Sequence, residues 1–419
     1  MAQTHTPLNM DFVTSQFPAL GKKWVFFDNA GGSQTLQGAI DRIVEFLTTR
    51  DVQIGGSYEV SQAAAEALLR GRKAGQTLVN ARRLEEIVFG PNTTVLMQTF
   101  ATTMRGQLSP GDEIVVTHAD HESNIGPWRR LEEFGIVIKV WPFDQESMSL
   151  RLEDLEPLMT ERTKLVCVHH VSNILGQINP IKDYARFVHE HGARICVDGV
   201  AYAPHRAIDV QDWDVDYYIF SLYKCYGPHV AIMYGKYEHL AELDGLYHYF
   251  YGKDKVPGKL EPGNANYELA FSTEGVVAYL AELGQQAGAT GSEREKLVAG
   301  FGAIAEQERA LTDRTLAWLN ARNDAYVIGR PDNPGNTRVP TIAFRFEGRN
   351  SGEIARAMDD HGIAIRFGDF HSRRLIEELG ESHDDGVVRV SMVHYNTVEQ
   401  VDRLTQALSE IASSKELAS

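Results

Sequence analysis

The sequence predicts an α/β protein: a large domain with a mostly parallel seven-stranded sheet between helices, then a small α+β C-terminal domain. Three observations predict it. Through the first two thirds of the 419 residues, short β-rich apolar runs alternate with helical patterns, the signature of crossover units and a parallel sheet. Beyond that the texture turns helical and then mixed. Composition is ordinary for a globular chain, with 43% apolar and 23% charged residues, and at this length a single core usually yields to a large domain with a smaller companion or to two domains of similar size.

The seven runs are Glu86 to Phe89, Glu113 to Thr117, Ile136 to Val140, Lys164 to His169, Arg194 to Asp198, Tyr217 to Ser221 and Ala231 to Tyr234. Between them, Ser61 to Val79 and Ile181 to Glu190 carry helix spacing, and TTVLMQTFATTM predicts a helix opened by Asn92. Ser292 to Arg322, rich in Ala, Leu, Glu and Arg, reads as a long helix. The tail supplies strands at Thr341 to Phe346, Ala364 to Phe367 and Val387 to Val393, with helices at Ser351 to His361 and Thr397 to Ser413. The Pro and Gly cluster at Arg330 to Pro340 is a loop. The expected organisation is an N-terminal segment, 1–20, packing with the small domain, a large domain over 21–290 and the small domain over 291–419.

Charge and cysteine usage narrow the function classes. Lys plus Arg total 41 against 57 Asp plus Glu, a formal net charge of −16 that carries no footprint for nucleic acid or anionic membrane. An anionic ligand stays compatible, because a few donors at a helix start hold a phosphate inside an acidic protein. The three cysteines, Cys167, Cys196 and Cys225, have neither CxxC spacing nor an even disulfide count. No run reaches the roughly 18 apolar residues of a membrane span, and the opening MAQTHTPLNMDF lacks a signal-peptide pattern. The expectation is a reduced, soluble, cytoplasmic protein.

Both common nucleotide cradles and HExxH are absent. THADHESN places His118, Asp120 and His121 together; without a second ligand cluster it reads as a polar crevice loop, and no metal is expected. Asp198 and Lys224 are more informative. Each falls near a strand end on one edge of a parallel sheet, the edge where open α/β folds bind ligands. An amine beside an apolar strand end loses hydration, its pKa falls, and the neutral form attacks aldehydes. A carboxylate beside a pyridine nitrogen keeps that ring protonated and electron-withdrawing. A plain Asp–Lys ion pair is the bland alternative.

The surrounding phrases favour the first reading. VDGVAYAPHRAIDVQDWDVDYYIFSLYKCYGPH, Val197 to His229, resembles the cofactor-lysine region of the class V aminotransferases, pyridoxal-phosphate proteins of fold type I that include cysteine desulfurases and selenocysteine lyases. FFDNAGGSQ, PNTT, ADHESNIGPW, HHVSNILGQINPI, EPGNAN, IRFG and VRVSMVHYNTVEQVDRL follow the family's order across most of the chain. The resemblance implies that Lys224 forms the Schiff base with the cofactor, Asp198 pairs with the ring nitrogen, His121 stacks on the ring and Asn173 bonds the ring hydroxyl. Asn92, Thr93, Ser221 and Tyr223 would hold the phosphate. Arg389 would clamp the substrate carboxylate, with Asn29, Arg366 and His371 beside the substrate. Asn264 would reach the phosphate of a neighbouring subunit, which implies a homodimer with active sites at the interface.

Four departures shape the expected reaction. Tyr223 stands where the family has a histidine, Ala201 where it has a glutamine, and His229 to Met233 replaces a glycine-rich strand. Desulfurases pass sulfur to a thiolate on a mobile loop after the IRFG strand; here GDFHSRR puts His371 or its neighbours there, and no cysteine follows Cys225. Were Cys225 on an extended segment, it would point away from Lys224. A persulfide relay is therefore not expected. The reading is an enzyme for a small L-amino acid, a desulfurase-like carbon–sulfur, sulfinate or seleno β-lyase, with aminotransferase and epimerase as alternatives. Keeping Lys224, Asp198, His121 and Arg389 together argues against an idle cofactor-binding relative.

Overall fold

The structure is a computed structural model that describes residues 7–246, 248–382 and 385–414. The outer residues of the expected 1–20 segment and of the 291–419 domain, 1–6 and 415–419, lie outside the described residues. A short strand, β1 (Val25–Phe26), precedes the seven that form the large sheet: β2 (Ile87–Gly90), β3 (Glu113–Thr117), β4 (Val137–Trp141), β5 (Thr163–His169), β6 (Arg194–Asp198), β7 (Tyr217–Ser221) and β8 (Ala231–Gly235). The order is β2-β8-β7-β6-β5-β3-β4, and β8 alone runs against the rest. All seven expected strands are present, within two residues at each end.

Continuous apolar strands need cover on both faces. Along β5, Val166 and Val168 enter one apolar cluster while Leu165 and Cys167 enter the other. The helices Gln37–Thr49, Glu59–Val79, Tyr267–Gln286 and Glu293–Asn320 pack together beside the sheet. Close approach there requires glycine: a Cβ at Gly284 would stand 1.7 Å from the Lys296 carbonyl oxygen.

The small domain holds a four-stranded sheet, built from β9 (Ala325–Ile328), β10 (Thr341–Phe346), β12 (Arg366–Gly368) and β13 (Val387–Ser391) in the order β12-β13-β10-β9. The expected strand from Ala364 to Phe367 is two: β11 (Ile363–Ala364) pairs with β1, and β12 pairs with β13.

Two elements make contacts on both sides of the seam between the cores. The 28-residue helix Glu293–Asn320 belongs to both cores, because Leu297, Phe301 and Ile304 join the large cluster while Leu311, Leu316 and Leu319 join the small one. The N-terminal segment packs at the seam rather than on the small domain alone. Phe17 touches Tyr226 and Tyr279 on one side and His394 and Tyr395 on the other. Among the described residues, no helix is long and apolar enough to cross a membrane.

Candidate active site

A cavity of about 580 Å³ opens at the carboxyl edge of the large sheet, where β5, β6 and β7 end, and the small domain closes its far wall. The topology dictates this place, since parallel strands deliver their terminal residues and following loops to one edge. His169 ends β5, Asp198 ends β6 and Ser221 ends β7, and all three line the cavity.

Lys224 follows β7 on a single 3-10 turn, Leu222–Lys224, and its Nζ donates to the Ala30 carbonyl oxygen. Among the described residues, no carboxylate lies within salt-bridge distance of this amine. Burial, then repulsion from Arg389, lowers its pKa to about 8, while Asp198 and Asp28 pull the other way. Asp198 accepts from the Val200 amide at 2.9 Å, and burial raises its pKa to about 6. Asp120 is a second buried carboxylate, accepting from the Asn124 amide at 2.7 Å. Burial and then the charge of Asp198 push Asp120 well above the usual carboxylate range.

The helix Thr93–Met104 points its N-terminus at the cavity. Asn92 caps it, accepting from the Val95 amide at 2.9 Å; the Thr93 amide donates to Ser221 Oγ at 3.2 Å, and the two hydroxyls lie 2.7 Å apart. A helix N-terminus beside two hydroxyls suits a phosphate. His121 lines the cavity with its Nδ1 2.7 Å from Ser123 Oγ; burial and the neighbouring charges of Lys224, His371 and Arg389 lower its pKa to about 3, so it is neutral at pH 7.

The small domain brings cations. Arg366 and Arg389 are register partners on β12 and β13, two like charges directly opposite each other, an arrangement that repels. Asp28 lies between them, 3.3 Å from Arg389 Nη2 and 3.7 Å from Arg366 Nη1. Arg389 also donates to the Asn173 carbonyl oxygen at 3.2 Å, and its Nε is buried with no partner among the described residues. One carboxylate against two guanidiniums leaves the wall positive and suited to a carboxylate ligand.

The remaining expected residues divide. Tyr223 and His371 line the cavity, Tyr223 stacked on His229 with centroids 4.7 Å apart. Asn173 lines it too, while donating to the Phe370 carbonyl oxygen at 3.0 Å and accepting from Ser372 Oγ at 2.7 Å. Asn29 borders the cavity, but its amide is spent on the Phe26 and Ser391 carbonyl oxygens, Asn396 and Tyr395, which gives it a joint-holding place rather than a free substrate contact. Asn264 lies outside, lining an adjacent hollow with Gly90, Pro91 and Val95. His118 faces Glu378 at 2.6 Å and does not line the cavity.

All three cysteines are buried and free. Cys225 is not on an extended segment: the 3-10 turn sends its thiol into the core toward the Ala203 carbonyl oxygen at 3.3 Å, and burial pushes its pKa up to about 12. Sequence reasoning missed Asp28, His169 and Phe370. Asp28 adjoins Asn29 in the quoted turn, and Phe370 adjoins His371, so adjacency was the available signal.

A phosphorylated pyridine aldehyde fits this donor set, with a buried, depressed amine for the aldehyde, a carboxylate at the strand end for the ring and a helix N-terminus with hydroxyls for the phosphate. Comparison with known proteins agrees. The family model Aminotransferase class-V matches residues 25–404. An aminotransferase-like protein, FGM3, of Gibberella zeae is 41% identical, over 96% of this chain and 98% of that protein. A cysteine desulfurase-like protein, ustD, of Aspergillus flavus is 32% identical, over 98% and 93%. The crystal structure of the cysteine desulfurase CsdA from Escherichia coli superposes with a TM-score of 0.82 at 25% identity, covering 97% of this chain and 98% of that one. The chain belongs to the class V aminotransferase family, whose members are enzymes that use pyridoxal phosphate.

Proposed function

We propose that the protein acts on a small L-amino acid and breaks a bond at its β-carbon, as a carbon–sulfur, sulfinate or carbon–selenium lyase that hands nothing to a cysteine of its own. The observation that carries this reading is one cavity holding a buried amine and a guanidinium pair with a single shared carboxylate, while every thiol lies in the core.

Pyridoxal phosphate, when bound, supplies an aldehyde that captures amines and a ring that withdraws electrons from the carbon beside the captured nitrogen. Lys224 would anchor its aldehyde carbon, Asp198 its ring nitrogen, and Asn92, Thr93, Ser221 and Tyr223 its phosphate. His121 would lie against the ring, neutral and flat. Asn173 keeps one amide hydrogen beyond its bond to Phe370, enough for the ring hydroxyl. Asn264 of a second copy would complete the phosphate site, which makes the working unit a homodimer.

Arg389 would bind the substrate's α-carboxylate, with Arg366 beside it. Lys224, whose pKa lies near working pH, would take and return the proton at the α-carbon. Tyr223 and His371 line the same cavity and are the further proton donors at hand.

The test is product analysis of the holoenzyme with L-cysteine, L-cysteine sulfinate and L-selenocysteine. Release of sulfite with alanine from the sulfinate, of elemental sulfur or selenium with alanine from cysteine or selenocysteine, or of sulfide or selenide with pyruvate and ammonia, supports the reading. Amino transfer to a keto acid, or inversion at the α-carbon, with no leaving group released overturns it.

A further inference from the structure

We propose that Phe370 is the positioning residue for Arg389, and that the left-handed backbone at Phe370 and His371 is the device that puts the ring beneath the guanidinium. The inference rests on Arg389 as the carboxylate clamp.

The centroid of the Phe370 ring lies 3.7 Å from Arg389 Cζ. The other restraints on this guanidinium are slack, at 3.2 Å to the Asn173 carbonyl oxygen and 3.3 Å to Asp28, and its Nε has no partner among the described residues. The polar contacts therefore leave the group free to tilt, and the ring is what fixes its face. A desolvated cation over an aromatic face is attracted by the ring quadrupole, and Arg389 and Phe370 are both buried.

The backbone is held in an uncommon state to achieve this. Phe370 has φ +52° and His371 φ +61°, consecutive left-handed residues with bulky side chains, a conformation that persists only where the surroundings impose it. Those surroundings are present. The Phe370 carbonyl accepts from the Asn173 side chain at 3.0 Å, the His371 carbonyl accepts from the Glu122 amide at 2.8 Å, and Asp369 accepts from the His371 amide at 2.9 Å. Two of these three bonds come from the large domain, so the loop is shaped by the domain whose cavity it closes. An aromatic side chain aimed inward at a strained position, 3.7 Å from the Arg389 guanidinium against 5.7 Å from that of Arg366, is a recognition device and not a packing accident.

The test compares two amines that differ by one carboxylate, L-alanine and ethylamine, binding to the holoenzyme, each followed by the change in the cofactor's visible absorption. The preference, the ratio of the two Kd values, is read for wild type, Arg389→Ala, Phe370→Leu, Phe370→Met and Phe370→Tyr. The expected result is that Arg389→Ala abolishes the preference, Phe370→Leu and Phe370→Met lower it about tenfold, and Phe370→Tyr keeps it. A ring that only fills space would weaken both amines alike, so an unchanged preference in Phe370→Leu and Phe370→Met overturns the inference. A preference that survives Arg389→Ala overturns the clamp itself, and the two failures are distinct.

Discussion

Lys224 is the group whose chemistry is set most directly by its surroundings. Burial, then Arg389, brings its pKa to about 8 from the 10.5 of an unperturbed lysine. At pH 7 about one-tenth of the amine is then neutral, against roughly one part in three thousand for free lysine, a gain of about three-hundredfold in reactive nucleophile. The assay mixes apo-protein with pyridoxal phosphate and follows the rate of absorbance change against pH. The rate should climb about tenfold per pH unit up to a break near 8 and then flatten. Arg389→Met removes a repulsion that favours the neutral amine, so the break moves to higher pH. Asp198→Asn removes an attraction that favours the charged amine, so it moves lower. Borohydride trapping should add one pyridoxyl phosphate at residue 224, and none in Lys224→Ala. A break near 10.5, or an adduct on another lysine, refutes the reasoning.

Other perturbations test the frame around the site. Asp28→Asn leaves Arg366 and Arg389 facing each other without their shared anion, and should cost about 1–3 kcal/mol in denaturant unfolding, more at low salt; an unchanged midpoint would mean the pair is not strained. His189 is hydrogen-bonded to buried Asp216 at 2.8 Å, which raises its pKa above 6.5. Its contribution is therefore full below pH 6.5 and lost as pH rises through the raised value, so the stability gap between wild type and His189→Gln should shrink with rising pH, and a growing gap would contradict it. Gly284→Ala forces the Tyr267–Gln286 and Glu293–Asn320 helices apart and should cost about 1–3 kcal/mol, read as a lower Tm. Maleimide treatment of the native holoenzyme should leave turnover intact, because no thiol is accessible; inactivation by alkylation of one cysteine would restore a thiol mechanism.

The large sheet was legible because its central strands are buried on both faces and so stand out as apolar runs between helical stretches. β9, Ala325–Ile328, was hidden because it is a short, half-exposed edge strand whose pattern is weak. The strand break at Ile365 was hidden for another reason: IAIRFG reads as one strand-like run, and only its partners, β1 and β13, divide it. In the cavity, Lys224 and Asp198 were legible as strand-end residues, and Ser221 through the family resemblance. Asp28 was not, since nothing local distinguishes it; its significance comes from two arginines more than 300 positions away. The same holds for Phe370, whose backbone conformation no propensity suggests for an aromatic residue.

The cation pair and the loop bear on each other. Arg366 and Arg389 stand opposite because β12 and β13 pair in register, and β12 ends at Gly368, φ +124°, two residues beyond Arg366. A loop that travelled to deliver a reactive group would drag β12, and with it Arg366, away from Asp28. It would also break the bonds from Asn173 to Phe370 and Ser372, and the Arg374–Glu122 pair at 2.9 Å that ties the following helix to the large domain. Carboxylate recognition and loop delivery are thus in mechanical conflict in this chain. The segment after β12 carries no cysteine, and its Phe370 and His371 stand in the cavity wall, held there by these bonds.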